Sequence, residues 1–291
     1  MKKILACFLL FYTSFLYSQD PSAPIIAESV VAEDLELKNL QWNRYVTKNF
    51  TILSIDNEKG KILSESIEEI KTSSLTRWGF PDAKFSKECR IFCVPNYSLL
   101  KKLFNLVGSK VQFRKELSVI WVVLDDNYEK SLAPSITQVS INEYEAAYNT
   151  SLPFWFKRGA INLNASTDEV RKNLKFFNEI AKKEQFTHSA DQIFSSIEEE
   201  YNKQSIDNKR TFDNQAVCLC LMLRKEFGEA KLQGFLRLQN KNKPEKVFNL
   251  VYGFSSFSQF DKKYVSYMKD LCGDISDEKT PDFYLKVVPT E

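Results

Sequence analysis

The chain has 291 residues, 43% hydrophobic, 13% aromatic and 27% charged, an ordinary globular composition with enough apolar material for a sizeable core. Its 40 basic and 38 acidic residues leave a formal net charge of only +2. With no long basic run, this balance excludes a protein built to bind nucleic acid.

The first eighteen residues carry the pattern of a targeting segment: Lys2 and Lys3, an apolar run from Ile4 to Leu16, and small Ser18 before Gln19-Asp20. The run is shorter than the roughly 20 apolar residues needed to span a bilayer, so cleavage is expected rather than anchoring. Ile4-Leu5-Ala6-Cys7 lies too near the N-terminus to serve as a lipidation box. No other stretch is long and apolar enough to span, so the mature protein is expected to be exported, periplasmic or secreted, with no transmembrane segment. Residues 19–40 form an acidic, proline-containing lead-in, residues 41–272 the expected domain, and 273–291 a tail.

Residues 45–55 are β-branched and aromatic and predict a strand. Residues 58–78 place Ile62, Leu63, Ile67, Ile70 and Trp78 at helical spacing, with Gly79 as a stop. A short strand over 89–94, a helix over 97–106 and strands at 111–113 and 119–124 follow. The last strand is apolar enough to be buried on both faces. From residue 125 helical patterns dominate: about 134–148, 152–163, 168–183, 190–200, 212–227, 229–239 and 256–270. Strands first and helices after describe an α+β protein, a mixed sheet with helices followed by a mainly helical half.

Six cysteines occur, and Cys7 would leave with the targeting segment. Cys89 and Cys93, four apart on a strand, lie roughly 13 Å apart, too far to bond each other. Cys218 and Cys220 point to different faces of one helix. Small buried hydrophobes is the plainest reading of the five, with a disulfide between distant members left open. His188 is the only histidine; without nearby partners it reads as a surface or capping residue.

The segment ITQVSINEYEAAYNTSLPFWFKRGAINLN, residues 136–164, resembles the active-site region of peptidase MA-like proteins, the gluzincin group that includes thermolysin-like enzymes. In that family an HExxH helix precedes a second helix opening with a pattern like LPxWxxEGxA. Residues Leu152 to Ala160 reproduce that opening apart from the glutamate. Residues 42–55, 58–106, 215–236 and 251–268 resemble the family's flanking elements in order. The resemblance implies a zincin-like fold.

HExxH chemistry needs two imidazoles at i and i+4 to grip zinc, a glutamate to activate the bound water, and a third anionic ligand. Within about one residue of register, the resemblance places Gln138 and Asn142 at the imidazole positions, Val139 at the general base and Arg158 at the third ligand. It thus implies no zinc, no cofactor and no catalytic residue. Gln138, Asn142, Trp155 and Arg158 remain as binding candidates, with Trp155 expected to pack between the helices and Lys157 to be exposed. Arg158, if it enters the former metal pocket, needs a carboxylate or an anion. Glu143 and Glu145 diverge at i and i+2 and read as a solvated face. The expected function is a non-catalytic module binding a peptide or protein in the former active-site groove. The rivals are an active zinc hydrolase with non-standard ligands and a purely structural envelope protein.

Overall fold

A computed structural model describes residues 40–82, 84–104, 111–114, 118–125, 128–165, 167–183, 188–239 and 242–276. The expected targeting segment with Cys7, residues 19–39 of the lead-in and residues 277–291 of the tail lie outside the described residues. The chain divides into two compact units, Met1–Asn43 and Arg44–Glu291. Only residues 40–43 of the first are described, and the second carries the sheet and the helices.

Two strands, β1 (Asn43–Val46) and β2 (Phe50–Ser54), form where a single strand is expected. The three residues between them allow only a hairpin turn. Thr47 and the Asn49 backbone and side chain bind the Glu68 carboxylate, which fixes that turn. Helix α1 (Asn57–Thr76) starts on Asp56, whose side chain accepts from the Lys59 N–H at 3.0 Å. Then come β3 (Cys89–Val94), α2 (Tyr97–Phe104), β4 (Val111–Arg114) and β5 (Val119–Val123). The sheet runs β1-β2-β3-β5-β4. β2, β3 and β5 are parallel and β4 is an antiparallel edge, so the sheet is mixed. Every residue of β5 is buried, as its unbroken apolar run requires.

Helix α3 (Tyr128–Ala147) begins six residues earlier than the sequence suggests, with Pro134 inside it. Then α4 (Phe154–Leu163), α5 (Thr167–Lys182), α6 (Ala190–Phe194), α7 (Glu198–Asn202), α8 (Ile206–Phe227), α9 (Glu229–Gln239), α10 (Pro244–Tyr252) and α11 (Phe257–Ser276) complete the α+β fold. The helix expected over 190–200 is two short ones, because Ile197 is extended and caps a new start. Helix α10 has no counterpart among the expected elements, although Pro244 at its first turn and Gly253, with φ of +75° at its end, are ordinary boundary signals. Among the described residues no helix is long and apolar enough to cross a membrane.

Two apolar clusters organise the interior. In one, Phe50, Ile52, Ile91, Ile120 and Val122 of the sheet meet Leu63 and Ile67 of α1 and Leu132, Ile136 and Val139 of α3. The α3 residues recur at i, i+4 and i+7, one stripe of the helix. The larger cluster joins α4 through α11 around Trp155, Phe156, Phe194, Phe235 and Phe248. Helix α3 contributes Ile141 and Tyr144 to it, so α3 lies between the two cores.

Candidate functional site

That central position leaves α3 little exposed surface. From Ile136 to Tyr144 every residue is buried except Gln138 and Asn142, one helical turn apart. Both are carboxamides. Gln138 Nε2 donates to Asn142 Oδ1 at 3.2 Å, which leaves the Gln138 oxygen and the Asn142 nitrogen to serve a ligand.

The turn after α3 aims α4 at the same place. Asn149 takes φ of +45°, a left-handed conformation that asparagine tolerates. Glu145 Oε1 accepts from the Leu152 N–H at 2.6 Å and from Lys157 Nζ at 3.1 Å, tying the turn to the first turn of α4. The expected solvated face is therefore corrected. Glu143 is buried and accepts from the Ser86 N–H at 2.6 Å, anchoring the loop before β3. Glu145 is enclosed with Lys157, which is paired rather than free, because the short connection folds α4 back across it.

Gln138 and Asn142 of α3, Phe154, Lys157 and Arg158 of α4, and Glu198, Tyr201 and Asn202 of α7 line one open cleft of about 210 Å³. Three of the four expected site residues thus converge. Trp155 does not. It points to the opposite side of α4, is fully buried, packs edge-on against Phe194 with centroids 5.4 Å apart, and donates to Gln239 Oε1 at 3.3 Å.

Arg158 has the carboxylate it needs. Its Nε and Nη2 grip the two oxygens of Asp213 on α8 at 2.8 and 2.6 Å, a bidentate fork. Tyr201 donates its hydroxyl to Asp213 Oδ2 at 3.1 Å, and the guanidinium lies 4.9 Å from the Tyr201 ring centroid. Burial alone pushes the guanidinium pKa down, but the hydrogen bonds and charge of Asp213 outweigh it, and the pKa stands above its ordinary value. Burial, together with the Asp213 charge, pushes the Tyr201 hydroxyl up, so Tyr201 stays a neutral donor. A second, smaller pocket of about 60 Å³ has Asp213 in its lining, with Asn162, Asn173, Arg210 and Asn214 among others.

These residues do not fit zinc. Gln138 and Asn142 are neutral amides already bonded to each other, and Arg158 brings a cation paired with Asp213. Val139, between them on α3, is buried against the sheet. Among the described residues no group of three or more His, Cys, Asp or Glu side chains is placed to hold a metal. The arrangement offers hydrogen bonding and an aromatic wall.

Sequence reasoning missed Asp213 and the three α7 residues. His188 sits just before the Ser189 cap of α6, half-buried, its ring edge-on to Phe212 and its Nε2 3.1 Å from Gln204 Nε2. Burial lowers its pKa below 6.5, so the unfolded chain binds the proton more tightly. His188 therefore costs no stability above about pH 6.5, and stability is lost as pH falls below that value. The decline in melting temperature from about pH 7 to about pH 5 is expected to be shallower in His188→Gln than in the unaltered chain. Equal slopes in differential scanning calorimetry would refute this.

Comparison with protein-family models and with curated proteins finds no match to this chain.

Proposed function

We propose that this chain is an exported, non-catalytic protein with the layout of a zinc metallopeptidase, and that its cleft binds an extended peptide segment. The convergence of Gln138, Asn142 and Arg158 on one cleft carries this reading. These are the three positions that the peptidase MA-like resemblance assigns to the metal ligands. The mixed sheet ending in the antiparallel strand β4 fits the same layout.

The spare acceptor of Gln138 and spare donor of Asn142 suit a backbone N–H and C=O, and a strand at the end of a sheet, as β4 is, allows a peptide to add as a further strand. Phe154 and Tyr201 supply apolar contact beside them. The cleft is open rather than filled by side chains, which favours binding over a purely structural role.

The test is to pass a tryptic digest of casein over the immobilised chain and over its Gln138→Leu/Asn142→Leu variant. Retention of a subset of peptides, uncut, with at least about tenfold weaker retention by the variant, is expected from the loss of two hydrogen bonds. Equal retention by both, or shortened peptides in the eluate, would count against the proposal.

A further inference from the structure

The five described cysteines are free, buried thiols, and they are not equivalent. Cys89 and Cys93 lie on β3 in the sheet-side cluster. Cys220 on α8 faces α4, where a side-chain carbon at Gly159 would meet its sulfur at 2.5 Å. Cys218, two residues earlier, faces the other way. Cys272 on α11 is, like Cys218, fully buried in the larger apolar cluster, and the two thiols interact. Helices α8 and α11 pack directly on each other, and one turn before Cys218 the Tyr264 hydroxyl of α11 donates to the Gln215 carbonyl oxygen of α8 at 2.5 Å.

We propose that Cys218 and Cys272 form a disulfide, a covalent staple between the helix that holds Asp213 and the last described helix. The co-reactant is a disulfide oxidant, either a small molecule such as oxidised glutathione or a protein disulfide of an oxidising compartment. One cysteine thiolate attacks the oxidant's disulfide and releases one reduced thiol, leaving a mixed disulfide. The second cysteine thiolate attacks the protein sulfur of that mixed disulfide and expels the other half as a second thiol. The oxidant gains two electrons and two protons, and the protein loses two hydrogens and gains one S–S bond.

In the folded chain the contact with Cys272 and burial both hold the Cys218 thiol well above its ordinary pKa, so thiolate is scarce. The bond therefore forms while α11 is docking, before the pair is sealed. The bond closes a long loop containing α9 and α10 and restricts the unfolded chain. This inference is independent of what the cleft binds.

The full chain, reduced and unfolded in guanidinium, is refolded with oxidised glutathione, unfolded again in iodoacetamide and mapped by fragment-ion mass spectrometry. Cys218 and Cys272 are expected to be joined and unlabelled, while Cys7, Cys89, Cys93 and Cys220 carry the label. The Cys220→Ala variant keeps the link, and Cys218→Ala leaves Cys272 labelled. Label on both Cys218 and Cys272 in the refolded protein, or Cys272 joined to Cys220, overturns the proposal.

Discussion

Replacing Asp82 by alanine is expected to destabilise the fold by about 3 kcal/mol, while replacing its partner Lys71 by methionine changes stability by less than about 1 kcal/mol. The asymmetry comes from burial. Lys71 lies on α1 with its side chain 1% exposed, and Asp82 is 31% exposed in the loop leading to β3. The ammonium donates to Asp82 and sits 5.0 Å from the centroid of the Phe85 ring. Removing the carboxylate strands a desolvated cation, with only the ring to offset it. Removing the cation leaves Asp82 near solvent and fills the same space with an apolar chain of similar length. Urea unfolding of both variants and of the double variant reads the difference as a shift in midpoint at unchanged slope. A smaller loss for Asp82→Ala than for Lys71→Met would contradict it. The loop concerned is also held by Asn49, which accepts from the Phe85 N–H, and by Glu143 on α3, so the effect reaches the helix that bears Gln138 and Asn142.

Gly159→Val is expected to cost 3 kcal/mol or more, roughly the upper end of overpacking losses. A side-chain carbon at residue 159 would stand 2.5 Å from Cys220 Sγ and 2.7 Å from the Ala216 carbonyl oxygen. The second contact is backbone, so α8 can make room only by moving away from α4. That movement would separate Arg158 from Asp213, which sit on these same two helices. Gly234→Ala on α9 is the control, because nothing lies within 4 Å of its added carbon. There alanine's better helix propensity is expected to raise stability by about 0.5–1 kcal/mol. Thermal unfolding of the two variants should therefore shift in opposite directions. Stabilisation by Gly159→Val would mean that α4 and α8 do not pack closely.

Residue 159 also illustrates what the sequence could disclose. The pair Gln138 and Asn142 was legible only through the resemblance, within about one residue; their i and i+4 spacing then puts both on one helix face whatever the tertiary context. Arg158 was legible through the Leu-Pro-x-Trp opening six residues before it. That the glycine beside it marks a helix crossing was not, because the close approach comes from α8, more than fifty residues on. Asp213 was hidden for the same reason, since no local pattern links it to Arg158. The third wall of the cleft was lost when residues 190–200 read as one helix. The break lies at Ser195-Ser196-Ile197, and it frees α7 to place Glu198, Tyr201 and Asn202 opposite α3 and α4. Glu143 and Glu145 read as solvated because their spacing reveals divergence but not what each one meets. The α+β order, by contrast, followed from β-branched runs giving way to helical periodicity, a property carried entirely by neighbouring residues.

The proposed function requires that a cleft in the position of a zinc site serve hydrogen bonding instead. Metal analysis of the purified, unchelated chain after dialysis against micromolar zinc tests this most directly. Carboxamides and an arginine already paired with Asp213 are expected to retain far less than one zinc per chain, unchanged by Gln138→Leu/Asn142→Leu. One zinc per chain, lost in that double variant, would contradict it.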